Sequence, residues 1–82
     1  MENNLRVFVV DDDAIILDVL RATLAAECEL HTFASAEACL GALVDVKPDL
    51  FLLDVSMPVM DGYALCRQLK DDWDTQDIPV VF

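Results

Sequence analysis

Positive charge is scarce in this chain. Five lysines and arginines stand against sixteen aspartates and glutamates, for a net charge of −11. Such a surface repels phosphate backbones and anionic headgroups, so direct binding to nucleic acid or to a membrane is not expected. A cation or a basic protein surface is the more natural partner. Cysteine is sparse too. Cys28, Cys39 and Cys66 make an odd count without C-x-x-C spacing, which argues against a disulfide framework or a zinc site and for buried free thiols in a reducing compartment. No apolar run approaches the ~18 residues of a membrane span. The opening Met-Glu-Asn-Asn lacks the basic start of a secretion signal. A cytoplasmic protein is expected. With two glycines and three prolines, there is no linker, repeat or low-complexity stretch.

What the chain does have is apolar character: 56% of its 82 residues are hydrophobic and the mean hydropathy is +0.44. A domain of this length buries only roughly 60–65% of the surface its unfolded chain exposes. That excess points to a piece of a larger domain, to an oligomer, or to both.

The apolar residues are patterned. Leu5 to Val10 is a short β-branched run suited to a strand buried on both faces. From Ala14 to Ala26, Ile16, Leu17, Leu20 and Leu24 line one helical face, and Asp13 can cap it. Glu29 to Phe33 is a second strand, more polar and so placed at an edge. Ser35 can cap a second helix with Cys39, Leu40, Leu43 and Val44 on its apolar face, stopped by Lys47-Pro48. Leu50 to Leu53 is another apolar strand, Tyr63 to Lys70 a third helix, Asp71 to Asp77 a polar loop, and Ile78 to Phe82 a fourth strand. The order βαβαβαβ predicts an α/β fold, a parallel sheet with helices on both faces and right-handed crossovers.

In open α/β sheets, ligands bind beyond the carboxyl ends of the strands. Two buried strands end there in carboxylates: the first in Asp11 and Asp12, the third in Asp54. Taken singly, the Asp11-Asp12-Asp13 run reads as a helix cap and Asp54 as a turn residue. If the two strands are neighbours, three carboxylates converge. Two unit charges 4 Å apart repel by about 4 kcal/mol at an effective dielectric of ~20. The cluster must therefore raise a pKa or bind a cation. Carboxylate oxygens suit Mg²⁺, and a carboxylate beside the metal can attack phosphorus to form an aspartyl phosphate.

These residues carry a resemblance. Val9-Val10-Asp11-Asp12-Asp13, Asp54, Met57-Pro58 and Asp61-Gly62, and above all the stretch from Pro48 to Gly62, are similar to the receiver domain of bacterial two-component response regulators. The resemblance implies a flavodoxin-like, doubly wound sheet in the order 2-1-3-4, with a fifth strand completing it. It implies Asp54 as phospho-acceptor, Asp12 as a direct Mg²⁺ ligand, Asp11 as an acid acting mostly through water, and Ser56 as a backbone-carbonyl ligand. Pro58 and Gly62 would shape the surrounding loop. The implied donors are a histidine kinase, a phosphotransfer protein, or a small molecule such as acetyl phosphate. The implied output is a shifted two-state equilibrium, not enzymatic turnover.

Relative to that family, residues 1–82 form one receiver domain lacking its last helix-strand-helix portion. The hydroxyl residue and the lysine that read out the phosphoryl group are not among them. The expected consequence is an apolar fourth strand at an open sheet edge and an uncovered apolar face by the first helix, hence a homo-oligomer or a swapped dimer. An alternative is a non-switching acidic interaction or dimerisation module. An aspartate-nucleophile phosphatase is a third reading, but it wants a second acid two residues after the nucleophile, where this chain has Ser56. Of the other residues, His31 is expected to face solvent, Trp73 to anchor its loop, and Tyr63 to pack.

Overall fold

A computed structural model describes residues 5–55 and 61–82. Its elements run β1 (Leu5–Val10), α1 (Ala14–Leu24), β2 (Cys28–Phe33), α2 (Ala36–Ala42), β3 (Leu50–Leu53), α3 (Gly62–Asp71) and β4 (Val80–Val81). All strand pairings are parallel, and the sheet order is β2-β1-β3-β4. This is the expected order, with the polar β2 at an edge.

Strand alternation sorts the core into two sides. On one, Phe8 and Val10 of β1 and Phe51 and Leu53 of β3 meet Ala36, Cys39 and Leu43 from α2 and its carboxyl end, and Leu65 and Leu69 of α3. On the other, Val7 and Val9 pack under Leu17 and Leu20 of α1, with Leu30, Leu50 and Leu52 beside them. The sheet is therefore doubly wound: α2 and α3 on one face, α1 on the opposite one. Phe8 is the centre of the larger side. Its ring is fully buried, 4.9 Å from Phe33 and 6.0 Å from Phe51 in an edge-to-face contact.

The helices start where short polar side chains can satisfy orphan amides. Asp13 accepts from the amides of Ile15 and Ile16, Ser35 from Ala38 and Asp61 from Ala64. Helix α2 ends earlier than its apolar periodicity suggests. Leu43 closes it, and Val44 falls beyond the last turn with 82% of its surface exposed. Strand β4 is shorter than expected because the Ile78 amide is taken by the Thr75 carbonyl and Pro79 has no amide to give.

Three single-residue expectations change. Trp73 does not anchor its loop: it is 89% exposed. The buried Thr75 hydroxyl does so instead, donating to the Leu69 carbonyl at 2.6 Å, and Lys70 Nζ donates to the carbonyls of Gln76 and Ile78. His31 is half-buried, its ring 5.3 Å from Phe8 and its Nε2 2.7 Å from Glu29. Glu29 also takes the Arg6 guanidinium at 2.8 Å across the β1–β2 register, and that hydrogen bond, with the adjacent charge, holds its carboxyl below the usual range. Tyr63, expected to pack, does so only in part: it is more than half exposed, with its ring 4.8 Å from that of Phe82 in a tilted contact. Of the thiols, only Cys39 is buried, and burial pushes it up to about 12. Cys28 and Cys66 are half-buried.

Candidate phosphoryl-acceptor and metal site

The site follows from one register. Val10 pairs with Leu53 in the parallel β1–β3 ladder. The residues that follow each strand therefore leave the sheet side by side at its carboxyl edge. The Asp54 amide donates to the Val10 carbonyl at 2.9 Å, which continues the ladder one step beyond the strands. On the other side of β1, the Asp11 amide donates to the Phe33 carbonyl at 3.0 Å. Asp11 is thus clamped between its two neighbours before the chain turns into α1.

The turn orders the run of three aspartates. Asp11 Oδ1 accepts the Asp13 amide at 2.9 Å, and Asp13 in turn caps α1. Asp13 is spent on the helix and does not join the cluster. Asp11, Asp12 and Asp54 do: each offers a carboxylate oxygen, and all three oxygens lie within 4.8 Å of one another. Asp12 is exposed; Asp11 and Asp54 are half-buried. Burial raises the Asp11 pKa above its ordinary value. The Asp13 amide opposes that shift, and the charges of Asp54 and Asp12 reinforce it.

Three hard oxygen donors at one point, one of them resisting ionisation, are a donor set suited to Mg²⁺. Ser56, expected to give a backbone carbonyl, and the Met57-Pro58 dipeptide lie outside the described residues.

Gly62 has a steric role that sequence reading assigned only loosely to loop shape. A Cβ at this position would overlap the Asp54 carbonyl oxygen and lie 2.8 Å from its carbonyl carbon. The first turn of α3 is thus packed directly on the backbone of Asp54, and only glycine permits that approach. The signal in the sequence was a glycine at a helix start, directly after the capping Asp61.

A parallel 2-1-3-4 sheet with acids after its first and third strands defines a class, and comparison with known proteins gives the same class. Residues 7–82 match the response regulator receiver domain family. The chain is 46% identical over 77 residues to the response regulator PleD of Caulobacter vibrioides, covering 93% of this chain and 17% of that protein. Among solved structures, it superposes with a TM-score of 0.88 on the N-terminal domain of a response regulator receiver protein from Methanoculleus marisnigri. That match has 40% identity and covers 95% of this chain and 64% of the other. The phosphorylated cyanobacterial phytochrome response regulator RcpA superposes with a TM-score of 0.85 at 25% identity, over 95% of this chain and 63% of its own. The chain belongs to the receiver domain family of response regulators, the phospho-accepting modules of two-component signalling. It spans about a sixth of the length of PleD.

Two outcomes test this geometry. Gly62→Ala should lower stability by about 1–3 kcal/mol through overpacking and shift the backbone amide resonances of Asp54 and Val55, measured by urea unfolding and NMR. For Asp11, the raised pKa means the folded state binds its proton more tightly than the unfolded chain does. That group therefore costs stability as pH rises through the interval between its unfolded and folded values, and the cost is complete above it. In the presence of a chelator, Asp11→Asn should raise the urea midpoint at pH 7, with the gain fading towards pH 3. A lower midpoint at pH 7 would contradict the electrostatic account.

Proposed function

We propose that Asp54 takes the phosphoryl group, with Mg²⁺ held directly by Asp12 and Asp54, by Asp11 through water, and by the Ser56 backbone carbonyl. The observation that carries this reading is the convergence of three carboxylate oxygens within 4.8 Å at the carboxyl edge of two adjacent parallel strands. Asp54 has the fixed backbone of a nucleophile: its amide is tied to β1, and its carbonyl is backed by the start of α3. Bound Mg²⁺ would supply the positive charge that offsets both the carboxylates and the oxygens of the transferring group.

In the step itself, an Asp54 carboxylate oxygen attacks phosphorus and a P–O bond forms. The donor's P–N bond breaks, and the electron pair leaves with the imidazole nitrogen, which takes up a proton. The donor is a phosphohistidine on a histidine kinase or a phosphotransfer protein; with acetyl phosphate, acetate leaves instead. The product acyl phosphate adds charge and acceptor oxygens at the sheet edge and biases a two-state equilibrium. This makes the chain a switch and not a turnover enzyme. Family membership favours it over the non-switching acidic module. A cytoplasmic location fits the three unbridged thiols.

Residues 1–82 are read as the portion of a receiver that precedes its last helix-strand-helix unit. Support comes from the solved relatives, of which this chain covers 63–64%.

Intact mass spectrometry after incubation with Mg²⁺ and acetyl phosphate should show a gain of one phosphoryl group. The gain should be absent in Asp54→Asn and largely lost in Asp12→Ala. Full phosphorylation of Asp54→Asn would overturn the assignment.

A further inference from the structure

The carboxyl-terminal ends of α2 and α3 bound a groove of about 360 Å³, lined by Leu40, Leu43, Val44, Gln68, Asp72 and Asp74 among others. It lies at the amino edge of the sheet, since both helices end where they lead into the next strand. It is therefore at the opposite end of the molecule from Asp11, Asp12 and Asp54. One apolar side chain of its lining stands in solvent, and a second lies on the turn that supplies three of its lining residues. Val44 lines the groove, and Trp73 sits between the lining residues Asp72 and Asp74 in sequence. They are the most exposed large hydrophobic residues of the described chain, at 82% and 89%.

This exposure is not that of a slack loop. The Thr75 hydroxyl is buried against the Leu69 carbonyl. The Thr75 and Gln76 amides donate to the Asp72 carbonyl, and the Asp74 amide donates to the Asp72 side chain. These bonds order the backbone of the turn that carries Trp73.

Charge around the groove is mixed, with acids in the majority: one lysine, Lys47, and two aspartates, Asp72 and Asp74, line it. Lys47 lines it, but its Nζ donates to the Leu43 carbonyl, and Lys70 Nζ is taken by the carbonyls of Gln76 and Ile78. Among the described residues, Asp71, Asp72, Asp74 and Asp77 form no ion pair. The ammonium groups keep their charge but are held on backbone carbonyls, while the more numerous acids face water.

We propose that this groove docks a basic segment of a partner protein, a stretch in which lysines or arginines flank one apolar side chain. The apolar residue packs between Val44 and Trp73, and the cations meet Asp72 and Asp74 and the indole face. Charge complementarity selects this occupant: an acidic segment would be repelled, and a purely apolar one would leave the aspartates without partners. Docking here is separate from phosphoryl uptake, because the two surfaces lie at opposite ends of the sheet.

The test uses the 82-residue chain and a short dye-labelled peptide of lysines flanking a single leucine, followed by fluorescence anisotropy at low salt. Saturable binding is expected, with a matching change in the emission of Trp73, the single tryptophan of the chain. Trp73→Ala should weaken binding about tenfold or more. The pair Asp72→Asn and Asp74→Asn should weaken it about threefold to tenfold. All these side chains are exposed, so the variants should keep their circular dichroism. Glu27→Gln with Glu37→Gln removes the same charge away from the groove and should change binding by less than about twofold. Asp54→Asn should leave binding unchanged, which separates this proposal from the phosphorylation reading. Equal weakening by the Glu27 and Glu37 pair would reduce the effect to general attraction by an acidic chain and overturn the proposal. So would an unresponsive Trp73 or an absence of saturable binding.

Discussion

The parallel pairing of β1 with β3 is the constraint on which the rest of the structure depends. Phe8 and Phe51 are register partners, and so are Val10 and Leu53. The same two pairs form the middle of the larger core. Burying these side chains against α2 and α3 therefore also fixes the relative height of the two strand ends. A shift of one residue in this register would turn Phe51 and Leu53 to the α1 side and withdraw Asp54 from Asp11. Core packing and site geometry are thus one condition, enforced by apolar contact where it is strong and read out in carboxylate positions where it is useful.

The carboxylates work against this order. Three acids within reach of one another repel, and Asp11 answers with a raised pKa whose largest cause is its own burial. Three ion pairs among the described residues join Arg6 to Glu29, Arg21 to Asp18 and His31 to Glu29. What the backbone supplies is fixation: the Val10 and Phe33 carbonyls hold the amides of Asp54 and Asp11, and the Asp13 amide holds the Asp11 carboxylate. Holding three carboxylates together in this way retains a repulsion that a divalent cation would offset. Gly62 adds to the fixation from α3 by closing on the carbonyl of Asp54 without a side chain between them.

Much of this was legible in the sequence, for a physical reason. Strands buried on both faces must be apolar throughout, so β1 and β3 stand out from Leu5–Val10 and Leu50–Leu53. A carboxylate directly after one such run reads as a cap or a turn residue, but carboxylates after two of them stand out together. The legibility fails where a residue's fate depends on tertiary context. Trp73 is large and aromatic, which suggests an anchor, yet the smaller Thr75 fills that place because its hydroxyl can satisfy the Leu69 carbonyl while buried. Val44 continues an apolar periodicity that α2 does not, because Leu43 ends the helix first. His31 belongs to a polar edge strand, but its position opposite Phe8 in the β1–β2 ladder turns it onto an aromatic ring. In each case the deciding partner is distant in sequence and leaves no local trace.

The two departures at Val44 and Trp73 share a location, and that coincidence carries meaning. A chain that hides Phe8, Phe51, Leu65 and Leu69 completely has no general difficulty in burying large side chains. It nevertheless leaves its one tryptophan in water on a turn stiffened by hydrogen bonds to Asp72, Leu69 and Gln76. Exposure of an aromatic residue on an ordered turn is a poor use of apolar surface for folding and a better one for recognition, because little loop entropy remains to be lost on contact. The fold thus separates its tasks along the strand direction. Carboxylates collect at the carboxyl edge, where helix starts and strand ends place oxygen donors together. An apolar, acid-rimmed surface collects at the amino edge, where helices end and the chain turns back into the sheet. The register of β1 with β3 lies between the two surfaces and belongs to neither, so the contacts that set it are independent of both.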